Sequence, residues 1–143
     1  MPELDKNRSK EQPFGGAKLI QDGGDDFAIV YEGTALMAAK EGYDQLQAEG
    51  LHGKLVQVQV LKPFPDEALF DMIKQTKKIV TVENHSILGG LGGAVSEMLA
   101  AHASHPPLVR VGVHDEFTQS GPTAKIKDRY GLSGRHVAKA AKQ

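Results

Sequence analysis

Short β-prone apolar runs alternate with stretches of helical period through most of the chain, and this alternation restricts the fold more than any single motif does. "FAIVY" (27–31) is an unbroken apolar run of the kind a strand shows when both its faces are covered. "KLVQVQVL" sets Val56, Val58 and Val60 against Gln57 and Gln59, which predicts a strand with one drier face, and "KIVTV" and "LVRVGV" add two more strands. "AKLIQ", ahead of the turn "DGGDD", reads as a shorter edge strand. Residues 34–48 carry Leu36, Ala39, Tyr43 and Leu46 at steps of three and four, with Thr34 as the expected N-cap and Gly50 as the stop. Pro65, Asp66 and Glu67 open a second helix whose expected core face is Leu69, Met72 and Ile73. Leu91, Ala94, Val95, Met98, Leu99 and His102 keep the same spacing in a third, and 123–142 reads as a helical tail broken at Gly131. Strand and helix alternating at spacings of about 25 residues predict right-handed crossovers and a three-layer α/β domain. In such a domain ligand sites gather beyond the C-terminal ends of the strands. That rim would hold Glu32 to Thr34, Lys62 to Phe64, Glu83 to Gly93 and His114 to Gly121.

Composition removes several function classes. The 143 residues suit one domain, expected at 14–143, and 1–13 has too little to bury and reads as a flexible leader or interdomain linker. Seventeen Lys and Arg against eighteen Asp and Glu give a net charge of −1, without the basic footprint that a nucleic-acid partner requires. The absence of cysteine removes thiolate metal sites, disulfides and thiol nucleophiles, and is compatible with a reducing cytoplasm. All apolar runs fall short of the ~20 residues of a membrane span. A soluble cytoplasmic protein without nucleic-acid or membrane partners is therefore expected.

The richest stretch is "ENHSILGGLGGAVSE", where a carboxylate, an amide, an imidazole and four glycines run straight into a helix. It is neither a dinucleotide fingerprint, which follows the first strand of its unit, nor a P-loop, because no Gly-Lys-Ser/Thr follows. Two readings stay open. The free amides at the helix start could cradle a small anion, or the glycines could make a tight turn, with positive φ, that brings strand and helix close. The candidate rim for an anion or an interdomain contact comprises Thr34, Glu83, Asn84 and His85, the glycines Gly89, Gly90 and Gly92, and Asp115 and Ser120 beyond the last strand. No histidine lies in a metal-binding pair such as H-E-x-x-H, and neither Ser86 nor Ser120 lies in a G-x-S-x-G elbow. His102 and His105 read as helix-end residues, and His136 as solvent-facing.

Four segments in order carry a resemblance: "GGAKLIQDGGDDFAIVYEGT", "KPFPDEAL", "VENHSILGGLGGAVSE", and "VGVHDEFTQSG" followed by "YGL". Together they resemble the C-terminal domain of the transketolase family, whose members include 1-deoxyxylulose-5-phosphate synthase. The resemblance implies a three-layer α/β/α fold around a five-stranded mixed, mostly parallel sheet. It also implies a part of an enzyme that transfers two-carbon ketol units between sugar phosphates with thiamine diphosphate and magnesium. In the family both are held by other domains, so no catalytic, cofactor or metal residue carries over to this chain. The implied partners are the missing cofactor-binding domains or subunit and a second copy in a homodimer. A stand-alone regulatory module for an anion or sugar phosphate is the alternative.

Overall fold

The computed structural model describes residues 16–59, 63–86, 90–113 and 133–143. The expected leader at 1–13 and the part of the expected tail helix from 123 to 132 lie outside them. The described residues form one sheet from β1 (Ala17–Asp22), β2 (Ala28–Glu32), β3 (Lys54–Val58), β4 (Ile79–Ser86) and β5 (Leu108–Val113), in the order β1-β3-β2-β4-β5. β1 runs antiparallel to β3, and every other pair is parallel. The sheet is therefore mixed and mostly parallel, as the resemblance implies.

Burial explains the strand sequences. β2 lies at the centre, and Ala28 to Tyr31 are all buried, which is why its run is apolar without alternation. Ile29, Tyr31, Leu55, Val80, Val82 and Val111 join the core beneath α1 (Leu36–Ala48) and α4 (Gly134–Ala141). Ala28, Val30, Val56, Val58 and Ile79 face the other way, against α2 (Asp66–Ile73) and α3 (Leu91–Ala100). Two apolar layers on opposite faces of one sheet make the three-layer architecture.

The helices depart from the sequence expectations in detail. A tight 3₁₀ turn, Gly33–Ala35, comes first, and α1 then starts at Leu36 with Ala35 at the cap position and no side-chain cap bond. Thr34 is thus one residue too early to be the cap. Leu36, expected in the core, is 46% exposed; the buried stripe runs through Ala35, Ala38, Ala39, Tyr43 and Leu46, and Leu36 stands about 100° round the helix from Ala35. Met72 is half-buried at the flank of α2, whose core contacts are Leu69 and Ile73. His102 lies past the end of α3, and its ring stacks on Phe70 with centroids 3.6 Å apart and planes 2° from parallel. His136 is half-buried, with Nδ1 2.7 Å from the Ser133 hydroxyl. No helix among the described residues is long and apolar enough to cross a membrane.

α1 and α4 cross on glycine. A Cβ on Gly42 would lie 2.6 Å from Val137 Cγ1, and one on Gly134 would lie 2.5 Å from Glu41 Cβ. The two backbones approach closely only because neither carries a side chain there. Gly42→Val should therefore force α4 away from the sheet and destabilise the chain by about 1–3 kcal/mol, the range for overpacking a core. Chemical denaturation of the variant against wild type measures it.

Candidate functional site

β4 carries the chemistry because its alternation is imperfect. Val80 and Val82 enter one apolar core, which leaves Thr81 and Glu83 on the opposite face, the one covered by α3. Both are fully buried, with 0% of either residue exposed. The neighbouring strand brings Arg110 level with Thr81. Immediately beyond, the register slips: Val82 pairs with Val111 but Ser86 with Val113, so four steps on β4 match two on β5. Glu83 opens this irregular stretch and is turned toward the start of α3.

There the Glu83 carboxylate accepts two backbone hydrogen bonds. Oε1 takes the Leu91 N–H at 2.9 Å and Oε2 the Gly92 N–H at 2.8 Å. These are the first two amides of α3, which lack partners within the helix, at the positive end of its dipole. A carboxylate from the sheet thus caps the helix from below. Gly92 makes the approach possible: its Cβ would fall 2.5 Å from Arg110 Nε, 2.9 Å from Glu83 Oε2 and 3.2 Å from Thr81 Oγ1. Burial raises the Glu83 pKa above the ordinary 4.5; the Gly92 and Leu91 amides pull it down, the Glu32 charge pushes it up and Arg110 pulls it down. The Thr81 hydroxyl is buried without a hydrogen-bond partner among the described residues.

The fold gathers part of the expected rim. The turn holding Thr34 packs beside β4, and Gly90 occupies the N-cap position of α3. By backbone, Asn84 and His85 continue β4 through the register slip. Gly89, Lys62, His114, Asp115 and Ser120 lie outside the described residues. Glu83 is interior rather than at an exposed rim. Gly92 meets the close approach of helix to strand that the tight-turn reading expects. Positive φ occurs among the described residues at Gly16, Gly24 and Gly50 and not at Gly90, with φ −98°, or at Gly92, which is helical. Sequence reasoning missed Thr81 and Arg110, although a signal was present, since Arg110 is the lone charge inside "LVRVGV".

Two consequences bear on ligands. An anion at the start of α3 would have to displace Glu83 from the Leu91 and Gly92 amides. No group of three His, Asp or Glu side chains among the described residues is placed to hold a metal ion. The described residues at the start of α3 therefore do not fit the diphosphate and magnesium of a thiamine cofactor.

A family model described as the transketolase C-terminal domain matches residues 15–137. A 1-deoxy-D-xylulose-5-phosphate synthase of Heliobacterium modesticaldum is 34% identical over 131 residues, 92% of this chain and 20% of the relative. A putative transketolase C-terminal section of Methanocaldococcus jannaschii is 36% identical over 127 residues, 88% of this chain and 39% of the relative. A solved structure described as a split gene transketolase, in an inactive beta4 tetramer, superimposes with a TM-score of 0.81 at 38% identity, covering 90% of this chain and 41% of that one. The chain thus spans between a fifth and about two-fifths of these relatives.

The Glu83 cap predicts a pH signature. With its pKa raised in the folded state, Glu83 binds its proton more tightly there than in the unfolded chain, so its contribution is full below 4.5 and declines as pH rises through the folded value. Glu83→Gln should remove that slope, and should cost about 1–3 kcal/mol because one of the two buried amides then faces an NH₂ group. Denaturation free energies of wild type and variant, compared across about pH 4 to 8, isolate the effect from other carboxylates. Gly92→Val should destabilise by more than about 1 kcal/mol through its clash with Glu83 and Arg110. The loss should be the same with and without saturating phosphate, as read from paired denaturation curves.

Proposed function

The chain belongs to the transketolase family, as its C-terminal domain, and on that premise we propose that it is the C-terminal section of a thiamine-diphosphate-dependent transketolase-like enzyme of carbohydrate metabolism. The reaction is two-carbon ketol transfer between sugar phosphates, carried out in a cytoplasmic homodimeric assembly. Thiamine diphosphate, with magnesium, supplies carbanion stabilisation and belongs to the part of the enzyme outside these residues. The role of this chain is support: it packs against the cofactor-holding section and contributes to dimerisation. The observation that carries the reading is the family match over 15–137, reinforced by a relative that is itself described as a C-terminal section.

A stand-alone module that captures an anion or sugar phosphate at the start of α3 has less support. The two amides it would use already bond to Glu83.

Ketol transfer should appear when the chain is mixed with the complementary cofactor-domain section, thiamine diphosphate and magnesium, and be absent with either component alone. A coupled sugar-phosphate assay reads this directly. Magnesium-dependent, micromolar binding of thiamine diphosphate by the chain alone, measured by calorimetry, would overturn the assignment of the cofactor to the other section.

A further inference from the structure

We propose that the edge made by β1 and the first turn of α1 is the surface on which the complementary section of the enzyme docks; this rests on the function proposed above. The exposed large apolar residues among those described are Leu19 (37%), Ile20 (38%), Leu36 (46%) and Met37 (68%). The first two lie on β1 and the second two open α1. Single exposed apolar side chains are ordinary, but these border one edge of the sheet from both sides: Leu19, paired with Val56, lies on the face of α2 and α3, and Leu36 and Met37 lie on the helix of the other face. Ala17 and Glu32 both pair with Val58, so β1 begins level with the point where β2 ends and leads toward α1. One turn after Leu36, Lys40 Nζ donates to Gln21 Oε1 on β1 at 3.0 Å, so the stripe of α1 that starts at Leu36 leads over the edge strand.

The apolar exposure is confined to this place on α1. Farther along the same helix the exposed residues are Glu41, Asp44, Gln45 and Gln47, which remain hydrated at no cost, and the small Ala48 at its end. The patch also adjoins the turn at 33–35 and so continues the rim at the C-terminal end of the sheet. The chain corresponds to 20% to 41% of its relatives, so in the proposed enzyme the remaining protein must meet this domain somewhere. A second copy is the less suitable occupant. Lys18 is exposed in the edge strand, and an exposed edge lysine opposes pairing of a strand with its own duplicate.

The test uses the full chain and the recombinant cofactor-domain section from the same genome as the probe. Leu36→Glu/Met37→Glu and, separately, Leu19→Glu should each weaken binding by about tenfold or more, the scale of losing an apolar anchor. The variants should remain cooperatively folded, with any lowering of the denaturation midpoint confined to the part of Leu19 and Leu36 that is covered, and Lys139→Glu on the exposed face of α4 should leave affinity unchanged. Equal affinity of folded variants and wild type would overturn the docking surface while leaving the proposed function standing. Loss of self-association by the chain alone, with affinity for the section unchanged, would assign the patch to a second copy and overturn it equally. Failure of the wild-type chain to bind the section would overturn both the surface and the function on which it rests.

Discussion

The two hydrogen bonds from the start of α3 to Glu83 are the constraint around which this end of the domain is arranged. A carboxylate removed from water is costly unless its lone pairs find donors. Two helix amides at a positive dipole end are donors that would themselves be stranded under the sheet. Each side offsets part of the other's desolvation, and burial still holds the Glu83 pKa above its ordinary value. The pairing also fixes geometry, because a bidentate contact at 2.8 and 2.9 Å leaves α3 little freedom to slide along β4.

Close approach is the second requirement, and glycine meets it wherever layers come nearest. Gly92 admits α3 to the Thr81, Glu83 and Arg110 surface, and Gly42 with Gly134 lets α4 settle onto α1. Gly53 does the same for the Phe27 carbonyl and ring at the start of β3, where the Tyr43 hydroxyl also donates to the Gly53 carbonyl at 2.9 Å. None of these three contacts depends on positive φ. They are steric, and they allow a sheet of five short strands to carry helices on both faces with little void.

These features bear on function by restricting what the domain does itself. The helix start that most resembles an anion cradle is already occupied by an internal carboxylate, so Leu91 and Gly92 hold α3 to β4. A three-layer body packed on both faces of its sheet, with an apolar edge beside the strand ends, suits a supporting section, since a surface that positions another domain must not yield under it. The chain spans a fifth to two-fifths of its relatives, and the function proposed for it places the chemistry in the remainder of the enzyme.

Periodicity in the sequence determined the strands, the helices and the fold class, because burial on a strand or helix leaves a repeat of two or 3.6 that survives in one dimension. "FAIVY" announced the central strand, and Leu69 with Ile73 the inner face of α2, before any contact was known. The four ordered segments identified the family in a different way, by their resemblance to it in sequence and order. Periodicity did not reveal that Leu36 would face solvent, since its spacing matches a buried stripe and only the end of the sheet leaves it uncovered. Nor did it pair Glu83 with residues eight and nine positions on, or bring Arg110 beside Gly92. Those contacts join strand to helix and strand to strand, and they exist only once the crossover has folded back over the sheet. Whether a carboxylate at a strand end meets a ligand or caps its own helix is decided by which group reaches it in three dimensions, and here the helix reaches it first.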